Sequence, residues 1–113
     1  MIESYRFGHI KIDSQAYRND VKLIGEKVLS DWWRSQGHLV QIKDIQDLID
    51  ANAEFCVFGT GAYGGMRVAE SVTSQLESRG SRVMVEPTES ACNTYNRLLQ
   101  DGKLVVAGFH LSC

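Results

Sequence analysis

Between Glu54 and Phe109 apolar runs alternate with amphipathic ones, and glycine or proline signals punctuate the change. Glu54 to Phe58 reads as a short apolar strand, and Val68, Val72 and Leu76 mark a helix stopped by Gly80, the usual left-handed terminator. Ser81 to Glu86 is the next strand. Pro87-Thr88 then opens a further helix, with Thr88 as its expected N-cap and Ala91, Tyr95, Leu98 and Leu99 on its buried side. Asp101-Gly102 closes it, and Leu104 to Phe109 is the last strand. Continuous apolar strands joined by helices need right-handed crossovers and a sheet covered on both faces. The pattern therefore predicts a three-layer α/β fold.

The first forty residues read differently. Ser4 to Ile12 alternates around Gly8, and Tyr17 and Val21 to Ile24 add strand-like pieces separated by the turn residues Asp13-Ser14 and Asn19-Asp20. This is a small antiparallel meander, which must extend the sheet or pack beside it, so the central sheet should be mixed. Lys27 to Arg34 follows, carrying Trp32 and Trp33, then Gly37-His38. From Ile42 the period becomes helical. Ile42, Ile45, Leu48 and Ile49 share one face and Asp44, Asp47 and Asp50 the other, over a helix expected to end near Asn52. The expectation is one α/β domain over residues 1–113 with helices on both faces of a mixed sheet.

Composition narrows the function classes. Of 113 residues, 43% are apolar, 23% charged and only one is proline, which is the profile of a packed globule. The net charge is -2 and the basic residues are scattered, which argues against a nucleic-acid partner. No apolar stretch approaches the ~18 residues of a membrane span, and Met1 to Ile10 lacks a basic region followed by an apolar one. A cytoplasmic protein with no membrane partner is expected. The three cysteines, Cys56, Cys92 and Cys113, are an odd number and read as reduced thiols.

The sharpest local signal is Gly59-Thr60-Gly61-Ala62-Tyr63-Gly64, which follows a strand and fits G-x-G-x-x-G, with Glu86 closing the next strand where a ribose hydroxyl would want a carboxylate. Taken alone, that suggests a dinucleotide. Two facts oppose it: Gly65-Met66-Arg67 intervene before any helix begins, and no second half exists to hold a nicotinamide. No cofactor is expected. A smaller possibility survives, because the loop and Glu86-Pro87-Thr88 both leave C-terminal strand ends. The amides of Thr60 and Gly61, the Thr60 hydroxyl, Arg67 and the start of the Thr88 helix would then make an anion-binding hollow, unless the glycines serve backbone geometry alone.

Other candidates are weaker. Cys92 lies one turn into the Thr88 helix, where the macrodipole would favour a thiolate if it were exposed and where burial would make it structural. His110-x-x-Cys113 has ligand-like spacing, but only His38 offers a third donor, too few for a metal site. His9, His38 and His110 stand isolated from any catalytic pattern. Adjacent Trp32 and Trp33 cannot easily face the same way, so either one is core and the other a surface anchor, or both rest partly buried over the meander.

Several stretches in fixed order carry a family resemblance. Asp31-Trp32-Trp33-Arg34 with Gly37-His38, Gly59-Thr60-Gly61 through Gly64 with Met66-Arg67-Val68, Glu86-Pro87-Thr88 with Ala91, and His110-Leu111-Ser112-Cys113 resemble a family of small single-domain proteins. Its eukaryotic members include the adipogenesis-associated domain protein and a mitochondrial complex I assembly factor. Ala69 departs from the pattern, which has proline there. The resemblance implies a three-layer α/β fold, no established catalytic activity, and assembly or regulatory roles through protein contacts.

The expected function is thus a non-enzymatic binding or assembly module that meets a protein partner or a second copy of itself. Its contact surface should combine Gly59, Thr60, Gly61, Tyr63, Gly64 and Arg67 with Glu86, Thr88, Trp32 and Trp33. The alternative is a small anionic, nucleotide- or phosphate-like ligand, or an enzyme, in the same hollow.

Overall fold

The computed structural model describes residues 1–113. The expected meander forms without its last piece: β1 (Ile2–Arg6), β2 (His9–Ile12) and β3 (Gln15–Tyr17) make an antiparallel three-stranded sheet, and Val21 to Ile24 is not part of it. Asp13 and Ser14 both take positive φ, which suits the two-residue turn joining β2 to β3. The chain then leaves this sheet. β4 (Val21–Ile24) and β5 (Lys27–Leu29) form a hairpin that extends the central sheet instead.

That central sheet contains β4, β5, β7 (Phe55–Thr60), β9 (Arg82–Glu86) and β10 (Val105–His110), in the order β5-β4-β10-β7-β9. β7 runs parallel to both β10 and β9, whereas β4 is antiparallel to β10, so the sheet is mixed. The connections are α2 (Glu70–Ser78) and α3 (Thr88–Gln100). A two-residue parallel pair, β6 (Leu39–Val40) with β8 (Arg67–Val68), ties the segment before α1 (Gln46–Asp50) to the start of α2.

Strand alternation sends successive residues to opposite faces. Val57, Ala107 and Phe109 join Tyr95 and Leu98 of α3 and Ile2, Ile10 and Ile12 of the meander in one buried cluster. Cys56, Phe58 and Val106 join Leu48, Ile49, Val72 and Leu76 of α1 and α2, with Trp32, in the other. The sheet is therefore the middle of three layers.

Four local expectations need correction. The helix expected from Ile42 is broken: Ile42–Asp44 is a 3-10 turn, and α1 begins only after Ile45, whose φ of -136° is not helical. The Asp44 carboxylate accepts the Gln41 N–H at 2.8 Å, which caps the start of that turn. β7 runs beyond Phe58 through Thr60, so Gly59 and Thr60 belong to the strand. Thr88 is not the N-cap of α3; Pro87 occupies that position and the Thr88 hydroxyl is engaged elsewhere. Finally, β5, β6 and β8 were not anticipated, being two or three residues long, and Val68, expected in the helix with Val72 and Leu76, pairs with Val40 in β8 before α2 begins at Glu70.

Candidate functional site

The C-terminal ends of β7, β9 and β10 meet the first turn of α3, as a shared strand edge requires. Thr88 is fully buried; its hydroxyl donates to the His110 carbonyl at 2.6 Å and accepts the Gly61 N–H at 2.8 Å. Thr60 donates through its hydroxyl to the Glu86 carbonyl at 3.1 Å. The two loops singled out in the sequence are thus side by side, stapled through Thr60 and Thr88.

The anion hollow expected between them is filled by the chain itself. Ala62 donates its N–H to the Ser112 carbonyl and Gly65 to the Cys113 carbonyl, both at 2.7 Å, while the Met66 N–H goes to the Thr60 carbonyl. With the Gly61 amide held by Thr88, the loop has spent these donors internally. Its glycines are close-approach residues. A Cβ on Gly61, which has φ +104°, would lie 2.4 Å from the Cys113 carbonyl carbon, and one on Gly59 would meet Phe109 at 2.7 Å and Thr88 at 2.9 Å. The Glu86 carboxylate is committed too, accepting from Ser90 at 2.5 Å and Thr94 at 2.9 Å, so it is not free for a ribose. Arg67 is exposed in β8, and its N–H donates to the His38 carbonyl.

Trp32 and Trp33 separate as adjacent residues must. Trp32 is core, its indole N–H donating to the Asp44 carbonyl at 3.1 Å, and so cannot itself touch a partner. Trp33 is 73% exposed. Tyr63, at the tip of the glycine loop, is 82% exposed, and Phe7, in the β1–β2 turn, lies 6.1 Å from it between ring centroids. Residues 111–113 connect these aromatics: the Leu111 carbonyl accepts from Gly8, the Ser112 carbonyl from Ala62, and Ser112 shares a cavity wall with Trp33.

The densest polar constellation in this region escaped sequence reading. Asp20, at the entrance to β4, accepts from Arg34 Nη2 at 2.6 Å, from His110 Nδ1 at 2.7 Å and from the Leu111 N–H at 2.8 Å. All three side chains are buried, with 13%, 4% and 7% exposure for Asp20, Arg34 and His110. Burial, the largest single influence on Asp20, opposes its ionisation, but the hydrogen bonds from His110, Arg34 and Leu111 together outweigh it and hold the carboxyl below its ordinary pKa. Arg34 is fixed further by the Gly37 carbonyl at 2.8 Å and by its guanidinium lying 4.4 Å from the Trp32 ring centre.

His110 Nδ1 faces Asp20, and the other ring nitrogen, Nε2, is buried with no hydrogen-bond partner. The exposed His38 ring stands edge-on to His110 at 5.4 Å. A cavity of about 250 Å³ beside them is lined by Asn19, Asp20, Trp33, Arg34, Gly37, His38, His110 and Ser112. No three His, Cys, Asp or Glu side chains converge as a metal ion would need. The second-turn thiol of α3 is also chemically quiet: burial, and then the Glu89 charge, push Cys92 up to about 12, against the lowering expected at an exposed helix start.

No helix is long and apolar enough to cross a membrane. A family model described as "Protein of unknown function (DUF498/DUF598)" matches residues 2–110. Among solved structures, a conserved hypothetical protein from Pyrococcus horikoshii OT3 superposes with a TM-score of 0.87 at 21% identity, covering 100% of this chain and 99% of that one. A protein described as an outer membrane protein from Bartonella henselae gives 0.83 at 20% identity, covering 99% and 94%. A Xanthomonas campestris protein gives 0.76 at 18%, covering 98% and 83%. At these identities the likeness shows the fold.

Proposed function

We propose, starting from the fact that this chain belongs to the DUF498/DUF598 family of unknown function, that it is a binding or assembly module acting through protein contacts. The observation that carries this reading is the group of large exposed aromatics, Phe7, Tyr63 and Trp33, around residues 111–113 at one end of the sheet. Exposed rings on a rigid frame are what partner-binding hot spots are made of, because they add contact area at little cost in side-chain entropy. Thr88, Gly59, Gly61 and Trp32 serve beneath that surface as its support. Three free thiols agree with a reducing, cytoplasmic setting.

The test is affinity capture from cells of the source organism with the intact chain and with a Trp33→Ala/Tyr63→Ala variant. The intact chain should retain a defined protein that the variant loses at least tenfold, with an unchanged melting temperature because both side chains are exposed. Equal capture by both would remove the surface from consideration.

A second reading is favoured by one observation, the cavity of about 250 Å³ beside the Asp20–Arg34–His110 cluster. There a small polar ligand would sit against Asn19, Arg34 and His38, with Trp33 at the rim. A thermal-shift screen with small alcohols, amines and amides should then give a stabilising compound whose effect is lost in His38→Ala. A flat screen would discard this reading and leave the first intact.

A further inference from the structure

The order of the central sheet leaves β5 and β9 at its two edges. Edge strands present unpaired backbone groups, and proteins protect them by keeping them short or by placing lysine or proline on them. β5 is protected in this way, being three residues long and starting with Lys27. β9 is not. Arg82-Val83-Met84-Val85-Glu86 is five residues long, pairs with β7 without a bulge, and contains no proline, glycine or lysine.

Its free edge can be read from the hydrogen bonds. The Arg82 N–H donates to the Glu54 carbonyl on the β7 side at 2.8 Å, so the backbones of Arg82, Met84 and Glu86 face β7. By alternation, the N–H and C=O groups of Val83 and Val85 point outward from the sheet. The Val85 side chain is 47% exposed, and Arg82 is exposed beside it.

We propose that β9 is the contact between two copies of this chain, paired antiparallel about a twofold axis at Met84 so that the two central sheets become continuous. The strand is complementary to itself in this register and in no other. Val83 stands opposite the partner's Val85, and both are outward-facing residues, so each pair exchanges N–H···O=C bonds. Arg82 stands opposite the partner's Glu86, whose carboxylate accepts from Ser90 and Thr94 within its own chain and keeps further lone pairs for a guanidinium, giving a cross-strand pair of opposite charge on either side of the axis. A parallel arrangement in register would set Arg82 beside its own copy. Sliding the antiparallel register by two residues sets Val83 against either its own copy or the partner's Pro87, which has no N–H, and parts Arg82 from Glu86. Charge order and backbone parity therefore select the same mate. This surface shares no residue with the Phe7, Tyr63 and Trp33 group, so either can fail without the other.

Sedimentation velocity of the full chain from micromolar to millimolar concentration tests it. The chain should show a concentration-dependent dimer. Arg82→Glu, at an exposed position, should keep its melting temperature as a monomer yet weaken the dimer by about tenfold or more, since it sets like charges opposite each other on both sides of the axis. Val85→Pro removes an outward N–H that β7 does not use, as an edge strand tolerates, and should abolish the dimer. Hydrogen exchange at the Val83 and Val85 amides should slow in the dimer and be fast in Arg82→Glu. A chain that stays monomeric throughout, or a dimer as tight in both variants as in the parent, overturns the proposal.

Discussion

At the scale of single residues, Asp20 decides more than any other polar group in the molecule. It joins Arg34 to the consecutive residues His110 and Leu111, so that three separate parts of the chain meet at its carboxylate. Removing one partner of a buried ion pair leaves the other charge uncompensated, at a cost of about 3 kcal/mol or more. Asp20→Asn should therefore unfold at markedly lower urea, read by circular dichroism, with Arg34 the stranded group. The same contact sets an acid limb. Because the folded carboxyl lies below its unfolded value of ~3.9, its stabilisation is complete above that value and is lost as pH falls through the lower folded one. Between pH 6 and pH 2 the parent should lose this increment of stability and Asp20→Asn should lack it; parallel pH curves for the two chains would contradict the assignment.

None of this is visible in sequence, because Asp20 reads as half of an Asn-Asp turn, His110 as a histidine isolated from any catalytic pattern and Arg34 as the end of the Asp31-Trp32-Trp33-Arg34 stretch. Their convergence is a product of β4 lying beside β10, with Leu111 accepted by a residue 91 positions earlier. Trp32 and Trp33 were legible only as a choice between two arrangements; both rings resting partly buried over the meander is the one that did not form, and one core ring beside one exposed ring is the one that did.

At the scale of elements, the longer periodic stretches formed. β7, β9, β10 and α3 lie where apolar runs and helical spacing put them, since each buries enough side chain to fix its own period, while α2 keeps Val72 and Leu76 but loses Val68 to β8. The pieces that escaped, β5, β6 and β8, are too short to have a period, and the helix expected from Ile42 is interrupted at Ile45, whose backbone is not helical. The glycine loop was legible as a special place and misleading as to purpose. Its glycines let α3, β10 and the 111–113 segment approach β7.

That account makes Gly59→Ala a sharp test. The added methyl would stand 3.1 Å from the Thr88 Cα, and backbone cannot swing away as a flexible side chain does. Overpacking of this kind costs about 1 to 3 kcal/mol, and the loss should appear as a lower urea midpoint with the far-UV spectrum preserved. A neutral substitution would mean that the strand–helix contact is looser than the geometry states.

At the scale of the whole molecule, the question is whether the meander is an independent sheet or a wall of the core. Ile10 and Ile12 are fully buried in the cluster that also holds Tyr95 and Phe109, and Asn96 of α3 grips Ile2 from both sides, accepting its N–H at 2.9 Å and donating to its carbonyl at 2.7 Å. Small sheets with a single apolar face do not stand alone, so the meander draws its stability from α3 and lends some back. Trp32, meanwhile, sits in the cluster on the far face of the central sheet. Ile10→Ala should cost about 2 to 5 kcal/mol. If one cooperative unit spans all three layers, Trp32 fluorescence and far-UV dichroism will move to the same lower urea midpoint, although the substitution lies a full layer away from the indole. A Trp32 transition left at the parent's midpoint, beneath an earlier dichroism step, would instead divide the molecule at the central sheet, with the meander and α3 melting as a separate layer.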